Sequence, residues 1–111
     1  MKNFIQPGHT VTVVAPATIA SGAGLLIGSM FGIAAFDAAQ TSEVELVLEG
    51  VFDLPAASGA GTAITAGAKV YWDNTNKVAT KTATSNTLIG VLLSDKPDEG
   101  SEARVRLNGS F

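Results

Sequence analysis

Glu43-Val44-Glu45-Leu46-Val47-Leu48-Glu49 is the most regular stretch of the chain. Its apolar side chains recur at every second position. An extended backbone therefore puts Val44, Leu46 and Leu48 on one face and Glu43, Glu45 and Glu49 on the other. A helix would scatter the same residues around its circumference. The stretch reads as a half-buried strand with its acids in water. Gly50 permits a bulge or bend, and Val51-Phe52-Asp53-Leu54 continues as strand up to Pro55.

Downstream the same language repeats. Residues 56 to 67 are nearly all Ala, Gly, Ser and Thr, a loop whose one large apolar group is Ile64. Lys69-Val70-Tyr71-Trp72 forms a strand that runs into Asp73-Asn74-Thr75-Asn76, a hairpin turn, and Lys77 to Thr82 returns from it. Tyr71 and Trp72 are neighbours on a strand, so they face opposite ways: one belongs to the core and the other to a rim or interface. Thr87 to Leu93 is an apolar strand interrupted by Gly90. After the polar turn Asp95 to Gly100, Glu102-Ala103-Arg104-Val105-Arg106-Leu107 alternates again.

Upstream, His9 to Val14 is alternating and β-branched, a strand ended by Pro16. The run from Thr10 to Phe36 carries no charge and admits two readings. Gly24, Gly28 and Gly32 stand at the spacing of a small-residue membrane-helix interface, which would make residues 16 to 36 a glycine-zipper span. The alternative is two buried strands, Leu25 to Gly28 and Phe31 to Ala35, joined near Ser29. The strands are better supported. Only Ala23 to Phe36 is truly apolar, short of the roughly 20 residues a bilayer requires. Lys and Arg anchors are missing from the flanks, and each glycine weakens an isolated helix by about 1 kcal/mol. The only other room for a helix is a short one over Ile33 to Ala39.

These elements add up to an all-β chain: a small antiparallel β-barrel or barrel-like sandwich of about eight short strands. Residues 1–8, with Pro7-Gly8 as a turn signal, form an extended N-terminal arm, and residues 9–111 form a single β domain. Hydrophobic residues make up 46% of the chain and charged ones 15%, well under the usual quarter, which suits either a surface covered by neighbours in an assembly or a chain that enters a membrane. A net charge of −3 with scattered Lys and Arg excludes the basic footprint of a nucleic-acid binder. With no cysteine there are no disulfides and no thiolate chemistry, which fits a cytosolic origin. Lys2 to Gly8 lacks the apolar centre of a secretory signal.

The chemistry-bearing residues do not assemble into a catalytic set. His9 is the only histidine and reads as a strand-end polar residue. Glu43 and Glu45 share a strand face, but as solvated acids that discourage edge pairing. Asp73 to Asn76 resembles a calcium loop only superficially, since Thr75, the missing glycine and the missing closing Glu break the pattern. Gly67-Ala68-Lys69 lacks the Ser or Thr of a phosphate loop, and Gly22-Ala23-Gly24-Leu25-Leu26-Ile27-Gly28 misses dinucleotide spacing by one residue. The chain is therefore expected to be non-enzymatic, with no catalytic, metal or cofactor residues, and to bind neither nucleic acid nor membrane.

Met1-Lys2-Asn3-Phe4-Ile5-Gln6-Pro7-Gly8, Ser21-Gly22-Ala23-Gly24, Leu26-Ile27-Gly28 and Phe31-Gly32-Ile33-Ala34 stand in the order of a known family. So do Glu49 to Pro55, Gly67 with Val70-Tyr71-Trp72-Asp73, Lys77-Val78, Ile89-Gly90-Val91 and Val105-Arg106-Leu107-Asn108-Gly109. Nearly the whole chain resembles the DUF2190 family of phage and prophage capsid decoration, or cement, proteins. The resemblance implies a structural virion protein, often a homotrimer, that is made in the bacterial host cytoplasm. It would decorate and stabilise the capsid by binding the outer surface of the head. The partner would be the major capsid protein of a phage, with Lys2, Asn3, Phe4, Ile5, Gln6 and Pro7 as a capsid-contacting arm that adds a strand to a sheet edge. On the residues alone, a small β-barrel that binds a ligand or glycan remains the alternative, and it requires a pocket with convergent polar groups.

Overall fold

The computed structural model describes residues 10–108, and the arm and His9 lie outside that range. Nine strands run through it: β1 (Thr10–Val14), β2 (Gly24–Ile27), β3 (Met30–Ala34), β4 (Glu43–Val47), β5 (Glu49–Pro55), β6 (Lys69–Asp73), β7 (Val78–Thr80), β8 (Thr87–Leu92) and β9 (Glu102–Asn108). They make two antiparallel sheets, a four-stranded one ordered β1-β4-β3-β2 and a five-stranded one ordered β5-β9-β8-β6-β7. The expected all-β architecture holds, with sheets in place of a closed barrel. Among the described residues the edges of the five-stranded sheet meet at one parallel bridge, Ala56↔Ala79, where Ala57 N donates to Ala79 O at 2.9 Å.

The stretch from Glu43 to Leu54 explains why nine strands form where about eight were expected. Its alternation runs through Leu48, but its hydrogen-bonding partners change there. Val47 pairs with Thr10 and Ile33 in the first sheet, while Glu49 pairs with Asn108 in the second. Gly50, at φ +124°, lies in a backbone region that side chains disfavour and lets the chain turn between sheets. One alternating run thus serves both layers.

The uncharged segment forms the hairpin β2–β3 across Gly28-Ser29, with Leu26↔Phe31 and Gly24↔Ile33 opposed. No helix among the described residues is long and apolar enough to cross a membrane. The short helix over Ile33 to Ala39 does not form either. Ile33 and Ala34 pair with Val47 and Leu46, and Ala38 bridges to Ile19, so tertiary partners take the backbone groups a helix would use.

Alternation decides the packing. Phe31 and Ile33 point from β3 to the five-stranded sheet and share a core with Leu54, Val70, Trp72, Ile89, Leu92, Val105 and Leu107. Ala34 points the other way and joins Leu25, Val44, Leu46 and Leu48 in a second cluster, completed by Ala15 and Ala38 from flanking loops. The loop 56–67 is held down on the turn after β8. Ile64 is buried there, and its backbone pairs with that of Lys96.

Candidate interaction surface

The outer face of the five-stranded sheet is built by the parity of its strands. On β9, Ala103, Val105 and Leu107 turn inward, so Glu102, Arg104 and Arg106 turn out. On β5, burial of Leu54 leaves Val51 and Asp53 outside. Registry then lines these residues up in rows. Val51 lies opposite Arg106, Arg106 opposite Val91 on β8, and Val91 opposite Lys69 on β6. In the next row Asp53 faces Arg104, and Leu93 N donates to Arg104 O at 2.9 Å. Directly opposed side chains on one face sit roughly 5 Å apart, so the residues of a row are in mutual reach.

This face mixes exposed apolar groups with charge. Val51 is 51% exposed and Leu93 46%, and Val91 is also exposed. Arg104 Nε donates to Asp53 Oδ1 at 3.0 Å and its Nη2 to Asp53 Oδ2 at 3.2 Å, a two-point pair. That hydrogen bonding, with the guanidinium's positive charge, holds the Asp53 carboxyl below its ordinary value and raises Arg104 in turn. No ion pair reaches Arg106 or Lys69 among the described residues. The two cations flank a shallow groove of about 210 Å³ with Leu88, Gly90 and Val91 in its lining. Glu49 and Glu102 stand at the two ends of the face.

Isolated apolar residues are ordinary on a surface, but here they stand in rows with unpaired cations between them. Such a face can bury area against a partner and use charge to fix orientation. The sequence carried its signal in two places. The alternation of Glu102 to Leu107 exposes both arginines, and Val51 has the opposite parity to Leu54.

Other positions singled out from the sequence have definite places. Lys2, Asn3, Phe4, Ile5, Gln6, Pro7 and His9 lie outside the described residues. Glu43 and Glu45 share an exposed face of β4, as expected. Asp73 closes the expected turn: its Oδ1 accepts from Thr75 N at 3.0 Å and from Asn76 N at 3.2 Å, and its Oδ2 accepts from Asn76 Nδ2 at 2.8 Å. These bonds lower its pKa, the Asn76 side chain most of all. Trp72 is the core member of the aromatic pair and Tyr71 the outward one. Trp72 still finds a partner, donating from Nε1 to Asn74 Oδ1 at 3.2 Å.

A cleft of about 310 Å³ opens where the sheets adjoin, with Ile19, Ala20, Gly24, Pro55, Trp72 and Lys77 in its lining. It is mostly apolar. Its lysine is engaged, since Lys77 Nζ donates to Asn74 Oδ1 at 2.8 Å.

No curated protein and no solved structure matches the chain. The family described as phage cement protein matches over residues 5–107, which covers every strand but the last residue of β9. The chain belongs to the phage cement protein family.

Proposed function

We propose that this chain is a structural virion protein that binds the outer surface of a phage head and stabilises the shell. Its partner is the major capsid protein, and it acts as a homotrimer without catalysis. It is made in the host cytoplasm and ends on the capsid surface. The carrying observation is the family match over residues 5–107. The low charged fraction, 15% of the residues, supports the reading, because a charge-poor surface can bury modest contacts with neighbours that repetition over a shell sums to strong attachment.

The arm, Lys2 to Pro7, precedes β1, an edge strand of its sheet. As a second contact with the capsid protein it adds a strand to an exposed sheet edge, with Phe4 and Ile5 as anchors. The test is direct. Purified protein is added to expanded heads that lack it, and the mixture is sedimented and heated. Co-sedimentation and a higher disruption temperature are expected, with both reduced when residues 2–7 are deleted. Heads that neither bind the protein nor gain heat resistance would end the proposal.

A further inference from the structure

One row on each sheet carries charge without an ion-pair partner among the described residues, and the two rows have opposite signs. On the four-stranded sheet Val14 lies opposite Glu43 and Thr12 opposite Glu45, so an acidic strip runs beside exposed β-branched side chains. Val14 is 60% exposed. Neither glutamate has an ion-pair partner among the described residues, where the one such pair is Arg104–Asp53. On the five-stranded sheet the row Val51, Arg106, Val91, Lys69 has the opposite sign and the same make-up. Each strip is two like charges beside exposed valine. No ion pair joins the strips within one chain.

We infer that the two strips are the halves of one contact between copies of this chain, the acidic strip of one copy seated on the cationic strip of the next. The inference rests on the homotrimer proposed above and specifies its geometry. Because the halves differ, the contact is heterologous: every copy offers one strip to each neighbour, and rotation closes the set into a ring. A twofold dimer through either strip would set like charge against like. The valines supply burial without direction, and the charges select which face meets which.

Light scattering on the full chain at physiological salt tests this. The wild type is expected at the mass of a trimer, shifting toward monomer in 1 M salt, where the screening length falls to about 3 Å. Lys69→Glu/Arg106→Glu and Glu43→Lys/Glu45→Lys are each expected to weaken association at least about tenfold while keeping the wild-type circular dichroism. All four changes combined in one chain should restore association, because both strips are then reversed and complement each other at every contact of the ring. If a reversed variant misfolds, Lys69→Ala/Arg106→Ala must still weaken association. A wild-type trimer unmoved by these changes, or a fourfold variant that folds but stays dissociated, overturns the contact and leaves the trimer standing. A wild-type monomer overturns both.

Discussion

The ring of Phe31 lies 4.9 Å from the ring of Trp72, tilted by 48°, and it joins the two sheets at their shared core. Phe31 comes from the hairpin of the four-stranded sheet and Trp72 from β6 of the other, and both are buried. The tilted arrangement adds a specific aromatic contribution to the area each ring removes from water. Trp72→Ala should therefore destabilise by about 3–5 kcal/mol and Phe31→Leu by less, since leucine refills part of the space. Urea unfolding by circular dichroism measures both. Equal losses would show that the pair does not join the sheets as described.

Gly90 on β8 lies directly opposite Leu107 on β9. A Cβ built there would overlap the carbonyl oxygen of Arg106, with the carbonyl carbon at 2.9 Å and Leu107 Cα at 3.1 Å. All three are backbone atoms of the paired strand and cannot rotate away. The register of β8 against β6 also shifts next to this position, between the Val70 and Tyr71 pairs. Gly90→Ala is expected to cost about 1–3 kcal/mol through strand displacement. It should also disturb Arg106 and Val91 on the outer face. A variant with wild-type stability would contradict this packing.

Lys96 is buried, 3% exposed, and has no carboxylate partner among the described residues. Its Nζ donates to Pro97 O at 3.0 Å, Thr62 O at 3.2 Å and Thr62 Oγ1 at 3.4 Å, so all three ammonium protons have acceptors. Thr62 Oγ1 in turn donates to Gly59 O at 2.7 Å. The lysine thus ties a loop of small residues that has little apolar area of its own. Lys96→Met keeps the stem but leaves those acceptors unsatisfied, at a cost of about 1–3 kcal/mol. Hydrogen exchange should accelerate first at Gly59 to Ile64, ahead of β9. Uniform acceleration would argue against a local clamp.

What the sequence revealed follows from where each signal resides. The alternation of Glu43 to Leu48 specified a strand with Val44 and Leu46 inside, because burial parity is written residue by residue. The same alternation could not show the change of partner at Leu48, since pairing depends on residues far along the chain. Ile33 to Ala34 looked open to helix for that reason: its β4 partners lie more than ten residues away. Lys96 was unremarkable in a polar turn, and only the fold brings Thr62 and its carbonyl to it. The outer face was half legible, as Arg104 and Arg106 alternate with buried neighbours, but the rows they form with Val51 and Val91 need the registry.

Acid should loosen two places first. Asp53 and Asp73 both have native pKa values below the ordinary 3.8, Asp53 through its hydrogen bonds to Arg104 and Asp73 through those from Asn76. A carboxyl that holds its proton less tightly in the folded state stabilises the fold above its unfolded value, and that contribution fades as pH drops through the native one. The melting temperature should therefore be flat near neutrality and fall below about pH 4. Asp73→Asn removes the charge but keeps a side-chain acceptor for the turn, so it should lower the neutral melting temperature and flatten the acid limb. Asp53→Asn should act alike and more weakly, because both members of its ion pair are well exposed and screened by water. Melting curves from pH 7 to pH 2 for the three proteins decide it. Parallel acid limbs would assign the loss to other carboxylates.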